Sequence, residues 1–213
     1  MKSMLASLIP LLFIAFTPTT HAAGSVTEGV NYQLIQPAQP PMKSGGKIEV
    51  IEMFWYGCPH CHRFQAHLDR WLKTQPDNVE FIRIPVIFRE DKVWTIHARA
   101  FFTAQALGKL EEIHKPLFNA IHNEKRNLDT EKSLMEFFAE HGVSNDDFRS
   151  AFKSFSVNSK VRRADKFANK YGIQGTPTVV VNGKYRIDNG MGKQGFPGVI
   201  KAINHLIALE GNS

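Results

Sequence analysis

The chain contains two cysteines, and both fall in one four-residue stretch, Cys58-Pro59-His60-Cys61. Cysteines that staple a fold are usually spread along it. A bond between these two closes a tiny loop and constrains little of the unfolded chain. Reactivity is therefore the better account of the pair. Its flanks restrict the fold further. Ile48 to Trp55 is a nearly continuous apolar run with β-branched and aromatic residues, the pattern of a parallel strand covered on both faces. Tyr56-Gly57 ends it. The spacing of Phe64, Leu68, Trp71 and Leu72 predicts a helix from about Pro59 to Lys73, and Val79 to Pro85 reads as the next strand. The sequence thus asks for a strand that turns sharply into a helix, with both thiols in the helix's first turn.

That placement activates one thiol. Pro59 suits the first helical position, where a missing N–H costs nothing. Cys58 then sits at the cap, facing unpaired N–H groups and the positive end of the helix dipole. A helix N-terminus lowers a cysteine pKa from ~8.5 into a range of about 3.5–7.5, worth roughly 1.4–7 kcal/mol of thiolate stabilisation. His60 is placed to add a donor or a positive charge near the same sulfur. Cys61, one turn in, is expected to be more buried. Stabilising the reduced thiolate makes the disulfide form an oxidant.

A second feature lies far along the chain. Gly175-Thr176-Pro177-Thr178 leads into an apolar strand, Val179-Val180-Val181. Asn182-Gly183 is a hairpin turn signal, and Lys184 to Asp188 returns. A closing helix fits Phe196 to Leu209. Pro177 at a strand start points to a cis peptide bond. Strand–helix–strand early and hairpin–helix late is the thioredoxin plan. Between the halves the pattern is helical: Val93–Leu107, Leu110–His122, Thr130–His141, Asp146–Phe152 and Val161–Tyr171, with Asp129 and Asn145 as caps and Gly108, Gly142 and Gly172 at helix ends. The expected fold is α/β, a thioredoxin fold with an inserted all-helical subdomain. Residues 23–90 and 162–213 form the thioredoxin-like domain, and residues 91–161 the helical insertion. The insertion's many phenylalanines fit apolar helix faces better than a cofactor box.

Lys2, the apolar run Met4–Phe16 and the small residues through Ala22 have the order of a secretory signal. Residues 1–22 are therefore expected to be removed. The run is too short to span a membrane, which takes about 20 residues. The remaining chain has 25 cationic and 20 acidic residues, a formal charge of +5. Its basic residues are scattered beside acids, as in Asp69-Arg70, which excludes a nucleic-acid footprint.

Glu52, Phe54, Cys58-Pro59-His60-Cys61, Phe64, the helical insertion, Gly175-Thr176-Pro177 and Val181-Asn182-Gly183-Lys184-Tyr185 together resemble the DsbA family, across essentially the whole mature chain. The resemblance implies a periplasmic thiol:disulfide oxidoreductase. It would oxidise reduced, unfolded exported proteins through a Cys58–Cys61 disulfide, with no other cofactor. A quinone-linked membrane oxidase of the DsbB type would reoxidise it, and the enzyme is expected to be a monomer. The implied site comprises Cys58, Pro59, His60, Cys61, Thr176, Pro177 and Glu52. Strand parity puts Glu52 on one face with Val50 and Phe54, and the resemblance implies a buried acid beneath Cys61 that handles its proton. Two departures stand out. The best-known members have Val where this chain has Thr176, and Thr is also found there in isomerases of the DsbC type. Gln65 replaces an acid present in some members.

Three other readings compete. Cys58-Pro59-His60-Cys61-His62 matches the c-type haem attachment motif, but it sits at a strand-to-helix turn. Cys58, Cys61 and His62 are close enough for zinc, yet no second ligand pair has the right spacing. A disulfide isomerase or reductase on the same fold is the third. Against a DsbC-like isomerase, the sequence shows no N-terminal dimerisation domain.

Overall fold

The computed structural model describes residues 25–42, 45–88, 92–188, 190 and 195–211. The expected signal, residues 1–22, lies outside them. Five strands form one sheet: β1 (Gln33–Leu34), β2 (Ile48–Phe54), β3 (Val79–Pro85), β4 (Thr178–Val181) and β5 (Tyr185–Asp188), in the order β1-β5-β4-β2-β3. β2 runs parallel to β3, from Ile48 opposite Val79 to Phe54 opposite Pro85. It runs antiparallel to β4, with Val50 opposite Val181. All seven residues of β2 are buried, as a two-faced apolar strand requires. Asn182 and Gly183 have φ of 49° and 65°, the positive values that a tight mirror-image turn needs. The Lys184 N–H closes the turn on the Val181 carbonyl.

Helices cover both faces of the sheet. α1 (Pro59–Leu72) and the closing α7 (Gly195–Gly211) pack one face, where Phe64, Leu68, Trp71, Val199 and Ile203 meet Val50, Val179 and Val181. Between β3 and β4 stand α2 (Lys92–Ala106), α3 (Leu110–His122), α4 (Glu131–Glu140), α5 (Asn145–Lys153) and α6 (Phe155–Lys170). Their phenylalanines share a core with Ile51, Met53 and Phe54 of β2. This is the thioredoxin fold with an all-helical insertion that the sequence predicts. Among the described residues no helix is long and apolar enough to cross a membrane.

Three of the differences from the expected helix boundaries and caps come through a hydroxyl side chain. Thr130, not Asp129, caps α4 and exchanges bonds with Ser133 in a capping box. Ser144, not Asn145, caps α5. α6 begins at Phe155 rather than Val161, because Ser154 accepts from the Val157 N–H. The expected domain boundary at 161–162 therefore falls inside a continuous helix.

Candidate active site

The turn between β2 and α1 puts both thiols at a helix start. Cys58 is the N-cap of α1, in extended conformation, and Pro59 is the first helical residue. The Cys61 N–H donates to Cys58 Sγ at 3.4 Å, which is the bond a capping serine would make. Both thiols are reduced in the structure. From the other side, the Cys58 thiol donates to the Thr176 carbonyl at 3.3 Å, and the Thr176–Pro177 bond is cis. Residues 118 positions apart thus converge on one sulfur.

The two thiols have opposite acidities. The Cys58 pKa is lowered to about 5, first by the Cys61 thiol and then, against a burial penalty, by the Thr176 side chain and the N–H groups of Cys61 and His60. Burial pushes the Cys61 thiol well up, reinforced by its bond to Cys58 and by the charges of Cys58 and Glu52. An acidic sulfur therefore lies at the helix tip, and a proton-holding one lies behind it.

Glu52 is fully buried in β2 and has two donors. Gln65 Nε2 bonds Oε1 at 2.7 Å, and Arg83 Nε bonds Oε2 at 3.1 Å. Burial outweighs both and raises the carboxyl pKa above its ordinary value. A buried carboxylate needs such partners to be tolerated at all.

Known proteins place this geometry. The family profile described as DSBA-like thioredoxin domain matches residues 49–204. The chain belongs to the DsbA family. It is 36% identical over 207 residues to a thiol:disulfide interchange protein DsbA of Burkholderia cepacia, spanning 97% of this chain and 96% of that one. It is 41% identical over 175 residues to one from Azotobacter vinelandii, spanning 82% and 80%. The crystal structure of Pseudomonas aeruginosa DsbA superposes with a TM-score of 0.81 at 36% identity, over 88% of this chain and 95% of that one. This DsbA-family chain is a thiol:disulfide oxidoreductase.

In this DsbA-family site, Cys58, Pro59, Cys61, Thr176 and Pro177 form one cluster at the head of α1, and Glu52 lies in the adjoining strand. His60 is exposed, and its Nδ1 lies 3.1 Å from Arg63 Nη2. What it aims at Cys58 is its backbone N–H. Of the zinc alternative's residues, His62 instead stacks its ring on His122, centroids 4.9 Å apart. Sequence reasoning assigned no role to Tyr56, Arg83 or His114, yet all three join the Glu52 network. Arg83 was legible in principle: it stands opposite Glu52 in the β2–β3 register. His114, on α3, carries no sequence signal linking it to β2.

Proposed function

We propose that the protein works as a dithiol oxidase in a bacterial periplasm after loss of residues 1–22. Its substrates are reduced, unfolded exported chains. The observation that carries this reading is the split acidity of Cys58 and Cys61, since a stabilised thiolate on the reduced side makes the disulfide a strong oxidant. A substrate thiolate attacks Cys58 Sγ in the Cys58–Cys61 disulfide. The S–S bond breaks, and Cys61 leaves as a thiolate that takes up a proton, with Glu52 as the proton partner. A second substrate thiolate attacks the substrate sulfur of the mixed disulfide, and Cys58 leaves as the stabilised thiolate. Two electrons pass from substrate to enzyme.

Thr176 and Pro177 offer backbone groups beside Cys58, where an extended substrate can pair as an added strand. Phe196, partly exposed, supplies apolar surface next to Pro177. The disulfide serves as the whole redox cofactor, and a quinone-linked membrane oxidase of the DsbB type restores it. The protein acts as a monomer. The test mixes oxidised protein with a reduced two-cysteine peptide and, separately, with a scrambled multi-disulfide protein. Rapid peptide oxidation with little unscrambling is expected. Slow oxidation with efficient unscrambling would falsify the oxidase reading and make Thr176→Val the next variant.

A further inference from the structure

The Glu52 network continues past its two donors. Gln65 Nε2 also donates to the Cys61 carbonyl at 3.4 Å. That carbonyl only accepts, so the amide nitrogen must face Glu52 and Cys61, and Gln65 Oε1 must face away. It lies 3.3 Å from His114 Nε2. His114 therefore carries its proton on Nε2, and its bare Nδ1 accepts from the Tyr56 hydroxyl at 2.9 Å. Every bond in the chain Tyr56–His114–Gln65–Glu52 then points its hydrogen toward the carboxylate. Gln65 and His114 are 6% and 3% exposed, and Tyr56 is fully buried. The packing of three elements holds the chain: Gln65 sits on α1, His114 on α3, and Tyr56 in the turn two residues before Cys58.

We propose that Tyr56, His114 and Gln65 are positioning residues that fix the direction of this chain and so hold Glu52 as a proton acceptor for Cys61. The inference rests on the reading of Glu52 as Cys61's proton partner. The other groups acting on Glu52 are Arg83 on β3 and, at longer range, Asp69 on α1. Lys115 on α3 acts on His114. Arg83, Asp69, His114 and Lys115 also line a cleft of about 580 Å³, which brings solvent to the far side of the network. With Gln65 locked as a donor, the group bonded to Glu52 Oε1 takes no proton from it.

The step to measure is resolution of a mixed disulfide between Cys58 and glutathione. Cys61 gives its proton to Glu52, the Cys61 sulfur bonds Cys58 Sγ, the Cys58–glutathione bond breaks, and glutathione leaves as a thiolate. Single-turnover glutathione release is followed across pH. The acid limb of the rate reports protonation of Glu52. Gln65→Met removes the donor and raises the carboxyl's pKa, so the limb should move up by at least about half a unit, ~3-fold slower on that limb. Gln65→Glu should move it further, because two adjacent carboxylates share a proton. His114→Phe should shift it the same way by less, and the double variant Gln65→Met, His114→Phe no more than Gln65→Met alone. A limb that stays in place in folded Gln65→Met and His114→Phe overturns the chain but leaves Glu52 in its role. A limb that also persists in Glu52→Gln removes the role of Glu52, and the proposal with it. Nitrogen-15 chemical shifts of His114 in the unmodified protein give a readout independent of variant folding. The Nε2–H tautomer is expected, and the Nδ1–H tautomer overturns the proposal.

Discussion

At pH 7 the reduced protein carries Cys58 as a thiolate, because its neighbours hold the pKa near 5. In the unfolded chain the same thiol titrates at about 8.5. The folded value is the lower one. The thiolate's contribution to stability is therefore complete above the unfolded pKa, and it is lost as pH falls through about 5. The reduced form should thus be the more stable at neutral pH, with the gap to the oxidised form closing near pH 5 and below. Equilibrium unfolding of both forms across pH measures this, and a more stable oxidised form at pH 7 would contradict it. His60→Ser keeps the backbone N–H that faces Cys58, so the thiolate absorbance titration should rise by no more than ~1 unit. A larger rise would give the imidazole the role that its exposed position does not suggest. At this scale the sequence was legible where chemistry is local. Cap, proline and thiols lie within four residues, and their positions follow from helix geometry. Of the Glu52 network only Arg83 was legible in principle, through strand register, because Gln65 and, behind it, His114 come from two separate helices.

The elements were legible wherever periodicity was strong, and their ends were read less well. Asp129 and Asn145 have the right chemistry for caps, but each stands one residue before or after the hydroxyl side chain that does the capping. Ser154 closes α5 and opens α6, so two helices meet with no linker. Ser154→Ala removes the bond to the Val157 N–H and should cost about 0.5–2 kcal/mol, read from the denaturation midpoint. The turn between β2 and α1 tolerates even less. A Cβ on Gly57 would lie 2.3 Å from the Trp55 ring, and that ring is itself stacked on Trp94 at 3.9 Å. Gly57→Ala should destabilise by about 1–3 kcal/mol and also displace Cys58. Thermal unfolding reads the first effect and the Cys58 titration the second.

Phe118 of α3 packs its ring against Phe54, Tyr56, His62, His114 and His122, so the insertion and the sheet share one core. Unfolding should therefore be a single transition, with near- and far-ultraviolet circular dichroism coincident in denaturant. Phe118→Ala should lower stability by about 3–5 kcal/mol. Separate transitions for helices and sheet would contradict this. The fold class was legible because the two halves of the thioredoxin plan keep their order in the sequence around the insertion. That insertion also sets a timetable. β4 lies between β2 and β5 yet follows β2 only after the whole insertion, and the Thr176 carbonyl reaches Cys58 across 118 positions. A chain emerging amino end first shows its two thiols to solvent long before the loop that completes their site exists. A molecule still lacking that loop thus has the cysteines without the acidity the loop helps to confer, and the oxidant appears only once the loop is made.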